Sequence, residues 1–470
     1  MKVANLKNPV MFSWLLEEGA RLDAPPFLSD ALEARFLLKR LALPKENLSA
    51  LTCGHDGGIF NGPMFSRPYV EDPEHGVPFL GSSDMLQADL SNIPLLSKKA
   101  ALSSRLQFLR LEEGMTLISC SGTIGRTIYV RPDMAGIWSS QHIMKIVPNR
   151  KLVRPGYLYA FLSSKFGNAQ ISGGTYGAII QHIEARHIAD LQVPRLPDSV
   201  EEGVHRLVVG AAGARTKASA LLRTAQNLLF QRLGMRRALD DHEYRSPHLG
   251  TCNPCKFRSR GDAFYYSPIN VDARSVFDSA ASSKRLSDVA EVYIPNIFKR
   301  LYADDPRYGY PYITGAEVFE LEPRSSKYLL RQVAESNLLI LRTGMIVVQE
   351  AGQLGGLIGR SVLVGGYLDG FACTNNMVRI VPNDASDAGY LLAVLSSEYG
   401  RRLLAREGAG SSIPHLDSSR VAGIPIPWAA RRIRNEIGDA VTKAVRLRDT
   451  ANAHEAEARN RVETALAEVV

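Results

Sequence analysis

The sequence has few cysteines and no long apolar segment. Five cysteines occur in 470 residues, and so sparse and odd a set argues against the disulfide framework of small secreted domains. No run approaches the 18 or more apolar residues that a membrane-spanning helix needs. The first seven residues are weakly basic, and no apolar stretch of the secretory kind follows them. We therefore expect a cytoplasmic protein without a membrane partner. The cysteines are Cys53, Cys120, Cys252, Cys255 and Cys373.

The sequence also lacks the motifs of several enzyme classes. No Gly-x-x-x-x-Gly-Lys-Ser/Thr phosphate loop is present, which argues against an ATP-driven motor. Enzymes that methylate a flipped base grip its amino group with Asn, Asp or Ser before Pro-Pro-aromatic. The only such segment here follows Ala24, which has no acceptor, so we interpret it as a turn. The glycines at 352–356 lack the strand and helix of a dinucleotide site. The chain is thus predicted to be no enzyme and to hold no cofactor.

The charge balance is moderately basic. The formal net charge is +8, the isoelectric point is near 9.2, and arginines outnumber lysines by more than two to one. Arginine suits bidentate contacts with phosphate and guanine. An Arg-rich composition also follows from a GC-rich genome, so the charge permits a nucleic-acid partner without requiring one.

An internal repeat spans most of the sequence. The segment Ile-Val-Pro-Asn at 146–149 recurs at 380–383, and many other identities keep an offset of 233. These pairs include Phe65 with Phe298, Tyr69 with Tyr302, Pro78 with Pro311, Tyr157 with Tyr390, Gly167 with Gly400, His182 with His415, and Pro194 with Pro427. Chance does not hold one offset over so many matches, so the chain is a tandem duplication.

The offset slips at one loop. Gly114 pairs with Gly344 at an offset of 230, whereas Gly125 pairs with Gly359 at 234. The second copy therefore carries four extra residues around a Gly-rich loop at 352–357. A rigid scaffold with a variable recognition loop gives this pattern. Neutral drift at an exposed turn explains a single loop equally well.

Each copy begins with a segment of short strands and turns. Apolar runs broken by Gly, Pro, Asn and Asp, as at 116–119, 127–130 and 142–147, predict strands of a compact domain. One helix is expected at about 156–166, where apolar side chains share a face, with its counterpart at 389–404.

A long helix is predicted after each of these segments. Residues 199–233 contain no proline, and Leu207, Ala214, Leu221 and Leu228 recur every seven positions. From 431 to the last residue the apolar residues keep the same rhythm, with Ile433, Ile437 and Leu447 among them. Heptads sustained over this length predict helices that pack against another helix.

The order domain–helix–domain–helix predicts an arrangement. The two helices most simply pair antiparallel, with the domains at opposite ends and related by an approximate twofold axis. A helix of about 35 residues spans about 50 Å, or about 15 base pairs. Two domains held at that spacing are suited to two half-sites on one DNA duplex.

In this order of motifs the chain resembles the specificity subunit of type I restriction–modification systems. The resemblance covers nearly the whole chain and rests on motifs that occur in both copies, although the Tyr265-Tyr266 pair of the second start has no counterpart in the first. The matching segments are 21–24 and 260–266 at the starts of the copies, then 114–119 with 121–126, then 173–177 up to His182, and the Val193-Pro194 exit into the helix.

The resemblance implies an α+β fold with two tandem α/β target-recognition domains and two long antiparallel coiled-coil helices in a pseudo-twofold arrangement. The domains would be 1–198, 199–240, 241–428 (with a linker at 241–262) and 429–470. It implies double-stranded DNA and two methyltransferase subunits as partners, together with restriction or translocase subunits where cleavage follows. S-adenosylmethionine, ATP and Mg²⁺ would then belong to those partners.

Two cysteines and two histidines have two interpretations each. Cys252 and Cys255 suit a small zinc knuckle or a turn between the copies, and the spacing is not that of a standard structural zinc site. His182 and His415 follow the same Gly-rich turn, where they either contact phosphate or serve as structural residues.

Candidate DNA contacts lie in the loops of each copy. Asn and Gln grip adenine, Arg grips guanine, and Ser or Thr bind mainly phosphate. In the first copy the candidates are Arg67, Ser82, Ser83, Arg105, Ser121, Thr123, Arg126, Gln141, His142 and Tyr176. In the second they are Lys299, Arg300, Gln353, Arg360, Asn375, Asn376, Arg379, Ser411 and Ser412. On the helices, Leu207, Leu221, Leu228, Ile433, Ile437 and Leu447 are the candidate partner-binding residues. Because the two loop sets differ, the predicted target is bipartite and asymmetric.

Three alternatives remain open at this point. The chain could direct methylation in a related phage-defence system without cleavage. It could be a coiled-coil scaffold whose domains bind protein, or an enzyme with an unrecognised site. Salt-dependent binding to duplex DNA separates the first two.

Overall fold

The protein forms two compact units whose described strands follow the same order and pair in the same way. The structure, a computed structural model, describes residues 12–17, 34, 37–120, 124–173, 183–235, 260–354, 356–410 and 412–468. Unit 1 comprises Met1–Thr216 and Thr450–Val470, and unit 2 comprises Lys217–Asp449. The expected α+β class, with two sheet-rich regions and a long helix, is confirmed.

Unit 1 contains two four-stranded sheets and a two-stranded ribbon. The sheet orders are β2-β9-β6-β7 and β3-β5-β4-β8, and the ribbon pairs β1 with β10. These strands are β1 (Lys45–Asn47), β2 (Ile59–Phe60), β3 (Tyr69–Val70), β4 (Gly76–Leu80), β5 (Leu95–Ser97), β6 (Thr116–Ser119), β7 (Thr127–Tyr129), β8 (Trp138–Ser139), β9 (Ile143–Ile146) and β10 (Gln192–Pro194). The helices up to the end of the first copy are α1 (Phe12–Glu17), α2 (Lys98–Ala101), α3 (Pro155–Ser163), α4 (Lys165–Gly173) and α5 (Asp198–Leu233).

Unit 2 repeats this topology strand for strand. Its sheets have the orders β12-β19-β16-β17 and β13-β15-β14-β18, and its ribbon pairs β11 with β20. The strands are β11 (Ser283–Arg285), β12 (Ala290–Tyr293), β13 (Tyr302–Ala303), β14 (Gly309–Ile313), β15 (Tyr328–Leu330), β16 (Ile346–Gln349), β17 (Ser361–Leu363), β18 (Ala372–Cys373), β19 (Met377–Pro382) and β20 (Pro425–Pro427). The helices of the second copy are α6 (Pro268–Asp278), α7 (Arg331–Ser336), α8 (Ala388–Ser396), α9 (Glu398–Arg406), α10 (Ser418–Ala422) and α11 (Arg431–Ala467). The part of α11 from Thr450 onward belongs to unit 1, and the part of α5 from Lys217 onward belongs to unit 2.

The helix expected at 156–166 and its counterpart at 389–404 are each two helices, so that prediction was wrong in one respect. The breaks fall at Ser164 and Ser397, whose backbones are extended. The Oγ atom of Ser397 accepts a hydrogen bond from the backbone N–H of Gly400 at 3.1 Å, and Ser164 does the same for Gly167 at 3.3 Å. A serine in this position caps a new helix instead of continuing the old one.

The helices α3 and α8 pack closely on the long helices because each presents a glycine. A Cβ atom on Gly156 would lie 2.9 Å from the carbonyl oxygen of His205 in α5, and one on Gly389 would lie 2.3 Å from that of Gly438 in α11. His205 and Gly438 are themselves separated by the repeat offset of 233. The same glycine contact therefore fixes a long helix to the domain in both units.

The seam of the long helices follows a four-three spacing, as heptad packing requires. In unit 1, α5 contributes Val204 and Val208 to a core that also contains Ala458 and Val462 of α11. Gly203 lies beside Arg461 and Gly210 beside His454, so the two segments run antiparallel within this unit. In unit 2, Ala225 and Leu229 share a core with Ile437 and Val441.

The leucines that recur every seven residues lie beside this seam and not on it. Leu207 and Leu228 are partly buried against the cores, and Leu221 is half-buried. Buried positions of α5 instead recur mainly at four- and three-residue steps, because an apolar stripe drifts around a 3.6-residue helix unless both heptad positions are used. This line includes Val204, Val208, Ala211, Arg215 and Ala218, and it continues with Ala225 and Leu229.

Candidate nucleic-acid interface

A parallel strand pair gathers several candidate contacts at one edge of unit 1. Strand β4 pairs in parallel with β8, with Leu80 opposite Ser139. The chain leaves both strands at the same end, and the backbone N–H of Ser140 donates to the carbonyl of Leu80 at 2.9 Å. Ser82 and Ser83 follow one strand, and Gln141 and His142 follow the other.

Three polar side chains of unit 1 form a network at this edge. The guanidinium of Arg67 donates to Oε1 of Gln141 at 3.1 Å. Nε2 of Gln141 lies 3.3 Å from Nε2 of His142. The amide of Asn61 donates to the backbone carbonyl of Gln141 at 3.2 Å. The structure thus brings together Arg67, Gln141 and His142, and it adds Asn61, which the sequence analysis missed because nothing marks a lone Asn after a two-residue strand.

A buried lysine lies beneath this loop. Lys145 is 1% exposed, and its Nζ atom donates to the carbonyl oxygen of Ser140 at 2.9 Å. Burial lowers the pKa of Lys145 from its ordinary value of 10.5 to about 7, although a charge on Cys120 would raise it. The lysine fixes the backbone of the residue that immediately precedes Gln141.

Unit 2 forms the equivalent edge with different side chains. Strand β14 pairs in parallel with β18, and the backbone N–H of Thr374 donates to the carbonyl of Ile313 at 3.1 Å. The candidates Asn375 and Asn376 follow at once, and the amide of Asn375 donates to Oδ1 of Asn376 at 2.8 Å. Asn376 is exposed. Its amide group therefore meets solvent at the place where Gln141 and His142 lie in unit 1.

Arg379 is a correction to the predicted contact set. Its side chain is fully buried, and its guanidinium donates to the carbonyl oxygens of Met377, Cys373 and Thr374 at 2.8, 3.1 and 3.0 Å. It occupies the repeat position of Lys145. A group enclosed by its own loop does not reach a ligand, so Arg379 holds the Asn375–Asn376 loop from within.

The Gly-rich loop of unit 2, at 352–357, lies beside a hydrogen-bonded pair of side chains, His415 and Glu350. Nδ1 of His415 lies 2.8 Å from Oε1 of Glu350, which is largely buried. The backbone N–H of Gly352 donates to the carbonyl of Pro414 at 3.2 Å, and the side chain of Gln353 is exposed. His415 thus has a structural partner, as one of its two interpretations held. Glu350 was missed, although a carboxylate at a strand end before a Gly-rich loop is a usable signal.

The remaining candidates are placed as follows. Arg105 is exposed and donates to the carbonyl of Met64 at 2.9 Å, and the guanidinium of Arg360 lies 4.8 Å from the ring centre of Phe319. Exposed side chains are Ser83, Lys299, Arg300 and Ser412, and half-buried ones are Ser82, Arg126 and Arg360. Outside the described residues lie Ser121, Thr123, Tyr176, His182, Cys252, Cys255 and Ser411.

The predicted partner-binding residues of the helices divide into two groups. Ile437 is fully buried within unit 2, so it stabilises this chain and is not available to a second one. Ile433 is partly buried against the same core. Leu207, Leu221, Leu228 and Leu447 are half-buried and retain surface.

Within the part of the chain that the structure describes, no group of three His, Cys, Asp or Glu side chains is placed to hold a metal ion. None of the described helices is long and apolar enough to cross a membrane.

Comparison with known proteins gave structural matches only. No protein-family model matches the chain, and no curated protein sequence matches it. The chain is similar to the type I restriction–modification S subunit from M. genitalium, with 12% identity, a TM-score of 0.37, and coverage of 92% of this chain and 96% of that one. A second similar structure concerns complex assembly and conformational transition of the type I R-M system (14% identity, TM-score 0.28, coverage 91% and 98%). A third is the HsdS subunit from Thermoanaerobacter tengcongensis (13%, 0.26, 91% and 96%). They belong to the family that the motifs resemble, but TM-scores this low do not assign a function.

Proposed function

We propose that the chain is a non-catalytic subunit that recognises a bipartite DNA sequence for the modification and restriction subunits of a type I restriction–modification complex. The observation that carries the proposal is the duplicated edge. Two units with the same strand topology present different polar side chains at the same place, the end of a parallel strand pair. A duplicated scaffold with diverged loops is suited to two different half-sites.

The chemistry of the two edges supports base recognition. Gln141 in unit 1 and Asn375 and Asn376 in unit 2 carry amides, which pair with the N6 and N7 edge of adenine. Arg67 beside Gln141 and Arg300 in unit 2 supply guanidinium groups, which suit guanine or phosphate. Base-edge donors on an internally braced loop are already ordered before binding, so less conformational entropy is lost when DNA binds.

The long helices are proposed to dock two methyltransferase subunits. Leu207, Leu221, Leu228 and Leu447 flank the seam and keep part of their surface, which suits them to a second apolar interface. S-adenosylmethionine, ATP and Mg²⁺ would act in the partner subunits. We expect the assembly to act in the cytoplasm, where both DNA and these cofactors are present.

Methylome sequencing tests the proposal. Cells that express the chain with its methyltransferase partner should show adenine methylation at one split, asymmetric motif, and deletion of the chain should remove it. If no bipartite methylation disappears, the proposal fails. Retention of methylation without cleavage of unmodified DNA would favour the related defence system.

Exchange of the loop around Gln353 tests the modular part. Replacing residues 352–357 with a different loop should alter one half of the methylated motif and leave the other half unchanged. The matched control is replacement of Gln141 and His142, which should alter only the opposite half. A change in both halves after either exchange would contradict the proposed division of labour.

Binding measured against salt separates DNA recognition from a protein scaffold. The affinity of the full chain for duplex DNA should fall steeply with salt concentration, because bound cations on the DNA are released. A scaffold whose domains bind protein would show no such slope.

A further inference from the structure

Both units expose a large apolar side chain at the same place in the repeat. Met64 is 82% exposed and Ile297 is 91% exposed, the two highest values among the large apolar side chains described. They are separated by the repeat offset of 233. A single exposed apolar residue needs no explanation. The same exposure at equivalent positions of two diverged copies indicates a shared use.

An aromatic ring next in sequence is packed on the sheet in both units. Phe65 packs edge-on against Phe79 with ring centres 6.0 Å apart, and Phe298 packs likewise against Tyr312 at 6.5 Å. Each phenylalanine is half-buried, whereas the residue before it is exposed. The anchor therefore presents Met64 and Ile297 to solvent on a fixed backbone.

The sequence around both side chains is basic, and in unit 1 it lies beside the loop that carries Gln141. Neither 61–68 nor 294–301 contains an acidic residue, and each contains an arginine at the same position, Arg67 or Arg300. The guanidinium of Arg105 donates a hydrogen bond to the backbone carbonyl of Met64. In unit 1 the segment lies against Gln141, because a Cβ atom on Gly62 would be 3.2 Å from the Cα atom of Gln141.

The two copies have kept the apolar side chain while the residues around it changed. Asn61-Gly62-Pro63 stands where unit 2 has Ile294-Pro295-Asn296, and Ser66 stands where it has Lys299. Only an apolar residue, the phenylalanine and the arginine persist. An apolar side chain between cations has a ready partner in duplex DNA, whose backbone is anionic and whose bases are apolar on their faces and at the thymine methyl group.

We propose that Met64 and Ile297 make an apolar contact with the bases of the bound duplex, one in each half-site. The inference rests on the proposed function and deepens it, since it names the side chains that would read bases without a hydrogen bond. Arg67 and Arg300 would hold the adjacent phosphates. The two forms of this contact are insertion beside a base-pair step and packing on a thymine methyl group.

Selection from a randomised duplex library by the full chain is the first step of the test. Enrichment of a split sequence by the wild-type chain would support the proposed function, and no enrichment would contradict both it and this inference. The second step compares Met64→Ser and Ile297→Ser on the selected duplex. Each should lower affinity by about tenfold, as expected for the loss of one buried apolar side chain, and relax preference in one half-site only.

Salt dependence and matched variants exclude a trivial loss of folding or charge. The slope of the logarithm of the binding constant against the logarithm of the salt concentration should be unchanged in Ile297→Ser. In Arg300→Ala, which loses a phosphate contact, the magnitude of this slope should fall by about one. Ile297→Met and Met64→Ile should retain affinity. Leu152→Ser and Val271→Ser remove exposed apolar residues elsewhere in units 1 and 2 and should have no effect.

Two modified duplexes distinguish the forms of contact. Insertion should raise the fluorescence of a 2-aminopurine at the contacted step with the wild-type chain and not with the serine variant. Contact with a thymine methyl group should instead weaken when deoxyuridine replaces that thymine. If both serine variants bind the selected duplex with wild-type affinity and selectivity, the inference is wrong while the proposed function stands.

Discussion

The two units use the same scaffold but stabilise it with different charges. Beneath the end of the parallel strand pair, unit 1 has Lys145, which donates to one backbone carbonyl, whereas unit 2 has Arg379, which donates to three. The guanidinium of arginine carries five N–H donors in a fixed planar arrangement, and that of Arg379 reaches three carbonyl oxygens of its own loop. The same position of the repeat therefore carries a buried lysine in one unit and a buried arginine in the other.

The contact between long helix and domain differs in the same way. In unit 1 the hydroxyl of Thr216 donates to Asp133 of the domain at 2.9 Å. In unit 2 the acid is on the helix, and Asp449 accepts from the backbone N–H groups of Gly366 and Tyr367 at 2.8 and 3.2 Å. Burial raises the pKa of Asp449 despite these two bonds. For Asp133 burial acts upward, but Arg131 outweighs it and the pKa is lowered.

The largest expected effect comes from the seam of unit 1. Arg215, Glu455 and Asn452 are buried there, with Nη2 of Arg215 2.8 Å from Asn452 Oδ1 and 3.1 Å from Glu455 Oε2. Arg215→Ala should lower the free energy of unfolding by about 3 kcal/mol, which is near the lower end for a broken buried ion pair. The lower end is expected because Arg459 lies 3.9 Å from the carboxylate of Glu455 and still compensates part of its charge. Urea unfolding followed by circular dichroism measures it.

Its matched control is the equivalent residue of unit 2. Arg448 occupies the repeat position of Arg215, but Leu222 occupies that of Glu455. Arg448 is only half-buried, whereas Arg215 is buried, so Arg448→Ala should cost less, about 1 kcal/mol. The combined replacement Arg215→Met, Asn452→Ala and Glu455→Met should restore most of the stability, since well-packed apolar residues substitute for a buried pair. Equal losses in both single variants would show that the units do not differ here.

The next effect concerns the buried cations. Arg379→Met leaves three backbone carbonyls without that donor, whereas Lys145→Met leaves one. At about 1 kcal/mol for each bond lost, the arginine variant should be less stable by about 3 kcal/mol and the lysine variant by about 1 kcal/mol. Hydrogen exchange of the 374–377 and 140–143 amides gives the local measure. A larger loss for Lys145→Met would reverse the comparison.

A smaller effect is expected at the contacts between helix and domain. Asp449→Ala removes the acceptor of two backbone amides and should cost about 1–2 kcal/mol, whereas Thr216→Val removes one hydroxyl and should cost about 0.5 kcal/mol. Exchange rates of the Gly366 and Tyr367 amides should rise in the first variant and stay unchanged in the second.

The last effect is a pH dependence between pH 7 and 8.5 that arises in unit 1. The pKa of Lys145 is about 7 in the folded chain and has its ordinary value of 10.5 in the unfolded chain, so the unfolded chain binds more protons between these values. The free energy of unfolding should therefore rise with pH above about 7. Burial raises the pKa of Cys120, which gives the opposite slope above about pH 8.5. Between pH 7 and 8.5 the wild type should gain stability relative to Lys145→Met, and parallel curves would contradict the low pKa.

Much of the scaffold was predictable from the sequence because it depends on local patterns. The strand at 116–119 and the long helix predicted from residue 199 are present, with bounds Thr116–Ser119 and Asp198–Leu233. The break at Ser164 was missed, since an apolar face continues across it while one hydroxyl caps the next helix. The seven-residue line through Leu207 was displaced by one position from the seam, because sequence spacing alone does not tell which of two adjacent stripes faces a partner.

The polar residues at the ends of the parallel strand pairs were predictable only in part. Gln141, Asn375 and Asn376 were identified by residue type at loop positions, and the structure places them at strand ends. Arg379 was assigned to the surface because its sequence context matches theirs, and only packing shows that it is buried. Asn61 carries no local signal that separates it from ordinary loop residues, whereas the position of Glu350 at a strand end before a Gly-rich loop was a usable signal.

The sequence by itself determined that one unit is present twice, since a constant offset of 233 residues is a property of the chain and needs no coordinates. It also determined where the long helices begin and which loops differ. Only the tertiary structure decided which side chains meet: the parallel pairing of β4 with β8 and of β14 with β18 joins loops about 60 residues apart. Only the tertiary structure showed that the side chain of Arg379 is buried and that of Ile297 is exposed. Burial depends on packing against residues that are distant in the sequence.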